Sequence, residues 1–173
     1  MPALRRSESG MTASAYRYRL TRSDVSGWLA MHEASLLWIM LNPSTADETQ
    51  DDATIRRVKS FTSRLGYARL TVVNLYAWRA TDPHHLWTAD DPVGADNDVV
   101  LAGEAWTARM DGAPIVAAWG AHAKPERVAE VLALPHLASR LYCLGVTKSG
   151  APRHPLYLPG DTPLIPWPIE ARP

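Results

Sequence analysis

The sequence predicts an α/β protein: a three-layer α/β/α sandwich with a mainly parallel four-stranded central sheet, plus an N-terminal edge strand. Apolar runs typical of buried strands alternate with helical patterns, which indicates right-handed crossovers between parallel strands. Hydrophobic residues make up 46% of the 173, enough for a sizeable core. We expect a flexible polar tail over 1–13 and a single domain over 14–173.

The first half of the chain supplies the edge strand, two core strands and one helix. SAYRYRLTR alternates as a half-buried edge strand does, whereas SLLWIML is continuously apolar, as in a strand covered on both faces. DDATIRRVKSFTSRLG has helical spacing, with Asp51 or Asp52 as its cap and Gly66 as its left-handed end. ARLTVVNLYAW then predicts the second core strand.

The second half continues the alternation and then changes in character. VGADNDVVLAGEAWTARM predicts a helix capped by Asp96 or Asn97, with Val100, Leu101, Ala105 and Trp106 on its buried stripe. APIVAAWG and SRLYCLGV predict the last two core strands, and KPERVAEVLALPH predicts the helix between them. The final 25 residues carry seven of the 14 prolines, so we expect them to be extended and irregular.

Composition limits the classes of partner and the location. The 18 basic and 18 acidic residues balance, so nucleic acid is kept as a partner but is not favoured by net charge. The single cysteine, Cys143, lies in an apolar run and is predicted to be an inert core thiol. Because no apolar run reaches the ~20 residues of a membrane span or resembles a signal peptide, we predict a cytoplasmic protein with no membrane partner.

Several kinds of chemistry lack their motifs. There is no Gly-x-Gly-x-x-Gly and no phosphate loop, so we predict no cofactor. The carboxylates of Asp47, Glu48, Asp51 and Asp52 lack the spacing and glycine of a calcium loop, and no histidine pair has zinc-ligand spacing, so we predict no metal. Ser44 has no glycines of a nucleophile elbow around it, which disfavours a serine hydrolase.

Polar residues follow the ends of all four predicted core strands, and open α/β sheets bind ligands beyond the carboxyl ends of their strands. The candidates are Asn42, Ser44, Thr45 and Asp47 after the first strand, Asn74 and Arg79 after the second, His122 after the third, and Lys148, Arg153 and His154 after the fourth. Structural alternatives stay open for several of them. Asn42-Pro43 also suits a simple strand end, and Asn74 also suits a bridge between two loop backbones.

Five motifs carry a family resemblance. IMLNPSTADETQDDATIRR, VVNLYAWRATDPHHL, PVGADND, AAWG and RHPLY together resemble the uncharacterised bacterial family catalogued as domain of unknown function 1643. The resemblance extends from about Tyr16 to Tyr157 and brings no established activity with it.

The order of these motifs is also similar, more distantly, to the uracil-DNA glycosylase superfamily, which implies a four-stranded parallel sheet between helices. Asn42-Pro43 matches its first motif, Asn74 its base-recognising Asn, and His154-Pro155 its late His-Pro. The resemblance implies that Asn42 holds a water, Asn74 reads the base edge and His154 donates to a base oxygen. Asn42 replaces the carboxylate of the more active branches, and Asp47 is the acid nearest to it in sequence among our candidates.

Two functions therefore compete. In the first, a glycosylase-like hydrolase of N-glycosidic bonds uses catalytic Asn42, Asp47 and His154. Its ligand-binding residues are Ser44, Thr45, Asn74, Arg79, Lys148 and Arg153. In the alternative, the same pocket binds a nucleotide-like or anionic small molecule without turnover, and the basic side chains donate to phosphate or carboxylate. A partner-binding protein ranks third, because most of the seven tryptophans fall in core patterns.

Overall fold

The computed structural model describes residues 15–23, 25, 30–44, 50–137 and 141–167, so the predicted tail over 1–13 lies outside the described residues. The elements in chain order are β1 (Leu20–Arg22), β2 (His32–Met40), α1 (Ala53–Arg64), β3 (Tyr67–Asn74), α2 (Pro83–Trp87), α3 (Asn97–Met110), β4 (Ile115–Ala117), α4 (Pro125–Leu132), β5 (Tyr142–Cys143), a 3₁₀ helix (Pro155–Tyr157) and β6 (Ile165–Pro166). None of the helices in this described part is long and apolar enough to cross a membrane.

The strands form one sheet in the order β1-β3-β2-β4-β5-β6. The four central strands are parallel, as predicted, and β1 joins one edge antiparallel to β3. The prediction of four strands and one edge strand is wrong in number, because β6 pairs antiparallel with β5 at the other edge. Proline has no backbone N–H to donate to a further strand, so Pro166 is compatible with an edge strand. From its sequence alone, this proline-rich segment is expected to be irregular.

Helix α1 covers one face of the sheet. Its buried residues Ile55, Val58 and Phe61 join the core around Trp38, whose indole N–H donates to the Thr62 hydroxyl at 3.0 Å. The predicted ends of this helix are confirmed. The Asp52 side chain caps the first turn, and Gly66 follows the last turn with a φ of 82°, where a side chain would be strained.

Helices α3 and α4 pack with the opposite face of the sheet, which completes the three layers. The buried side of α3 carries Leu101, Ala105 and Ala108. The prediction that Trp106 belongs to this buried stripe is wrong, because 51% of its surface is exposed. Each residue turns the helix by 100°, so Trp106 points well away from the direction of Ala105.

Candidate functional site

A cavity of about 560 Å³ opens at the carboxyl ends of the parallel strands, on the side of the sheet that α1 covers. Its volume lies within the roughly 300–1,000 Å³ of small-molecule sites. Part of the cavity wall is apolar and is formed by Met40, Ile55 and Val72. The polar and charged side chains on the wall come from several loops and include Asn42, Ser44, Asp52, Asn74, His122, Arg153 and His154.

The structure thus brings five of the nine predicted site residues to one cavity: Asn42, Ser44, Asn74, Arg153 and His154. Arg79 and Lys148 do not line it. The backbone of Arg79 pairs with Ala15 near the N-terminal edge, and Lys148 is exposed in the turn that Gly150 closes. Thr45 and Asp47 lie outside the described residues.

Asn42 ties two strand-end loops together. Its side-chain amide nitrogen donates to the carbonyl oxygens of Pro43 at 3.0 Å and Ala80 at 2.7 Å. Both amide protons are therefore used in the fold, and what Asn42 offers to a ligand or water is its acceptor oxygen. The structural role of Asn42 in joining these two loops therefore uses only its side-chain nitrogen.

Asn74 ends β3 and lines the cavity. The residue is 3% exposed, and its side chain has no hydrogen-bond partner among the described residues. Those residues therefore include no loop backbone that the amide bridges. The amide is therefore available to pair with water or with a ligand in the cavity, as the polar groups of buried residues usually do.

A buried polar cluster holds the backbone beneath this amide. The Asn97 side chain donates to the carbonyl oxygens of Asn74 and Leu75, each at 3.0 Å, and Arg127 Nε donates to Leu75 at 2.9 Å. Arg127 in turn contacts the carboxylates of Asp98 at 2.5 Å and Glu130 at 3.2 Å. Helices α3 and α4 thereby fix the position from which the Asn74 side chain enters the cavity.

His154 begins the 3₁₀ helix and is held in one orientation. Its Nδ1 accepts from the Leu156 backbone N–H at 3.3 Å, so the proton of the neutral ring lies on Nε2. Burial lowers the pKa of His154, and the nearby Asp52 carboxylate only partly opposes this shift. At neutral pH the imidazole is therefore uncharged and carries one donor, Nε2–H.

The lowered pKa of His154 predicts a pH dependence of stability. The unfolded chain takes up this proton near pH 6.5, whereas the folded protein takes it up only at lower pH. The free energy of unfolding should therefore fall as pH decreases through about 6.5, and level off below the folded pKa. Urea denaturation between about pH 7.5 and 5 should show a smaller slope for His154→Gln than for the wild type; equal slopes would contradict the shift.

Asp52 is a site residue that sequence reasoning missed. Its Oδ1 accepts from the Ile55 N–H at 2.7 Å, its Oδ2 accepts from the Ser44 hydroxyl, and it is the only carboxylate among the described residues that line the cavity. From the sequence, helix capping was a sufficient explanation for Asp52. Its position could have identified it as a site residue, because α1 begins shortly after the loop that holds Asn42, at the same edge of the sheet.

Arg17 was missed as well, because it precedes the edge strand. It nevertheless lines the cavity, since its backbone pairs with Ala77 beyond the end of β3.

No described cluster of three or more His, Cys, Asp or Glu side chains is arranged to hold a metal ion.

Fold and cavity together define an α/β protein with a cavity of small-molecule size beyond the ends of its parallel strands. The model of the family described as protein of unknown function (DUF1643) matches residues 17–156. The match covers more than half of the chain, which therefore belongs to the DUF1643 family. No curated protein and no solved structure matches the chain.

Proposed function

We propose that the cavity binds a nucleobase-type ring and that the protein is a glycosylase-like hydrolase of N-glycosidic bonds. The observation that carries this proposal is that Asn74 and a neutral His154 line the same cavity. The Asn74 amide has no hydrogen-bond partner among the described residues. The edge of a nucleobase presents neighbouring hydrogen-bond donors and acceptors in one plane. A side-chain amide and an imidazole N–H can pair with these groups.

The residues of the cavity have matching roles in such a hydrolysis. Water attacks the anomeric carbon while the carbon–nitrogen bond breaks and its electron pair leaves with the base. The Asn42 oxygen orients the water, and Nε2–H of His154 stabilises the negative charge that develops on a base oxygen. The Asp52 carboxylate stabilises the positive charge on the sugar and accepts the proton of the water, which then passes to the departing base.

The architecture supports the proposal further. Four parallel strands lie between helical layers, as the resemblance to the uracil-DNA glycosylase superfamily implies, and the three residues matched to its motifs share one cavity. The uracil-DNA-glycosylase-like fold is part of this proposal. Roles for Thr45 and Asp47, and a cytoplasmic location, stay predictions from the sequence.

A base-release assay tests the proposal. The purified chain is incubated with nucleosides, nucleotides and single-stranded oligonucleotides that contain uracil or hypoxanthine, and free base is quantified. We expect release by the wild type, and rates lower by about 10²–10³-fold for His154→Ala and Asn42→Ala. Lys148→Ala, which lies off the cavity, is the control and should keep the wild-type rate. Absence of release from every substrate would contradict the enzymatic role.

Binding of a nucleotide-like or anionic ligand without turnover is the second candidate. Two observations favour it: both Asn42 donors are committed to the fold, and the exposed Arg153 places a guanidinium on the cavity wall. A guanidinium pairs well with phosphate or carboxylate. Thermal stabilisation by nucleotides without base release, lost in Arg153→Ala, would select this candidate.

A further inference from the structure

The segment that carries His154 is anchored on its N-terminal side by main-chain hydrogen bonds. Beyond β4, the Gly120 N–H donates to the Pro152 carbonyl oxygen at 3.0 Å. Beyond β5, the Gly145 carbonyl oxygen accepts from the Arg153 N–H at 2.9 Å. These bonds fix the chain immediately before His154, after which it forms the 3₁₀ helix and reaches α1.

Arg57 of α1 holds the other side of this segment. Its Nη2 donates to the carbonyl oxygen of Leu158, which directly follows the 3₁₀ helix and is itself buried on the cavity wall. The guanidinium carbon lies 4.9 Å from the centre of the buried Phe61 ring. A Cβ on Gly160 would lie 3.6 Å from Nη1, so the chain passes close to the guanidinium. The Arg57 side chain is therefore packed in one place as well as hydrogen-bonded.

The same helix begins at the Asp52 carboxylate. Asp52 is the N-cap of α1, just over one helical turn before Arg57, and it lines the cavity together with His154. Its negative charge partly opposes the lowering of the pKa of His154 by burial, as expected of two groups that lie near each other. One helix thus supports the carboxylate directly and the imidazole through Arg57.

We propose that Arg57 is a positioning residue: it ties the end of the 3₁₀ helix to α1 and thereby keeps the His154 ring at a set distance from the Asp52 carboxylate. In the hydrolysis proposed above, Nε2–H of His154 acts on the departing base and Asp52 acts on the sugar, at the two ends of the bond that breaks. A displacement of about 1 Å between such groups can cost about 10²-fold in rate. This consequence for the rate rests on the proposed function, whereas the placement of the ring does not.

Arg64 is the matched control for a merely structural role. It lies on the same side of α1 as Arg57, about two turns later, and its guanidinium carbon is 5.6 Å from the centre of the same Phe61 ring. Its Nη2 donates to the Thr162 carbonyl oxygen, which is farther along the chain from His154 than the bond of Arg57. If both arginines only fasten the C-terminal segment to α1, their removal should affect His154 equally.

The nitrogen and proton signals of the imidazole, followed by NMR through a pH titration, test the placement of the ring; the spectrum of His154→Gln identifies them. Arg57→Met keeps an apolar stem over Phe61 but loses the donors. In this variant the pKa of His154 should rise towards 6.5, because the released segment admits water, and the Nε2–H tautomer should lose its predominance. Arg57→Lys keeps a donor and the charge and should restore most of the wild-type titration, and Arg64→Met should titrate as the wild type does. All these variants keep the other charged or titratable side chains of the cavity, which include Arg17, Asp52, His122 and Arg153.

Three results of these titrations would overturn the inference. The first is a pKa of His154 that is the same in Arg57→Met and in the wild type. The second is an equal shift in Arg57→Met and Arg64→Met, and the third is no recovery in Arg57→Lys.

Steady-state kinetics of base release test the consequence for the rate. Arg57→Met should lower kcat at least about tenfold while KM changes by less than about threefold, because the side chains that line the cavity are all present. A raised KM with an unchanged kcat would contradict the positioning role. Absence of base release by the wild type would contradict the proposed function alone, and the titrations would still decide whether Arg57 places the ring.

Discussion

Replacement of Asn74 by leucine is expected to abolish base release and ligand binding while the stability of the protein changes little. Asn74 is 3% exposed and its amide has no partner among the described residues, so its replacement breaks no hydrogen bond of the described fold. An apolar side chain of similar size should therefore change the free energy of unfolding by less than about 1 kcal/mol. Urea denaturation at neutral pH measures the difference.

Asn97 provides the matched control. It is also a buried asparagine, and its amide nitrogen donates to the carbonyl oxygens of Asn74 and Leu75, while its Oδ1 has no partner among the described residues. Asn97→Leu should therefore lower the free energy of unfolding by about 2 kcal/mol. A comparable loss in Asn74→Leu would mean that the Asn74 amide has a structural partner, and would contradict its assignment to a ligand.

Replacement of Arg127 by alanine is expected to be strongly destabilising. Only 5% of Arg127 is exposed, and its guanidinium links the Leu75 carbonyl at the end of β3 to carboxylates on α3 and α4. The variant loses charge-assisted hydrogen bonds and the packing of the side-chain stem, which should lower the free energy of unfolding by about 2–3 kcal/mol. We limit the expected loss because Asp98 and Glu130 are 46% and 63% exposed and can be solvated.

Arg69 is the control for the loss of an arginine ion pair. Its contact with Glu33 at 3.2 Å joins side chains that are 54% and 93% exposed. Arg69→Ala should change the free energy of unfolding by no more than about 0.5 kcal/mol, because water and salt screen such pairs. Equal losses in the two variants would show that burial of Arg127 contributes nothing specific to the end of β3.

Sequence patterns predict the parts of this fold that depend on local burial and chain stiffness. The apolar runs of β2 and β3, the Asp52 cap and the left-handed Gly66 all follow from such local rules. β6 escaped prediction because two residues paired at an edge leave no periodic signal. Trp106 escaped because hydrophobicity does not reveal which of two apolar faces of a helix meets the sheet.

The candidate site divides in the same way. Asn42, Asn74 and His154 are accessible to sequence reasoning because each directly follows a predicted strand or marks a motif, and the ends of parallel strands meet at one edge. Asn97 and Arg127 act on β3 through contacts 22 and 52 residues away in the chain. Each also has a sufficient local explanation in the first turn of a helix, so only the tertiary structure reveals its second role.

Equilibrium binding of free nucleobases to the wild type and to Asn74→Leu, measured by isothermal titration calorimetry, tests the central claim most directly. The claim is that the buried Asn74 amide is there to pair with a base edge. It predicts binding of at least one of uracil, cytosine, hypoxanthine and adenine to the wild type, and none to a folded Asn74→Leu protein. Equal affinities in the two proteins, or no binding by either, would contradict it.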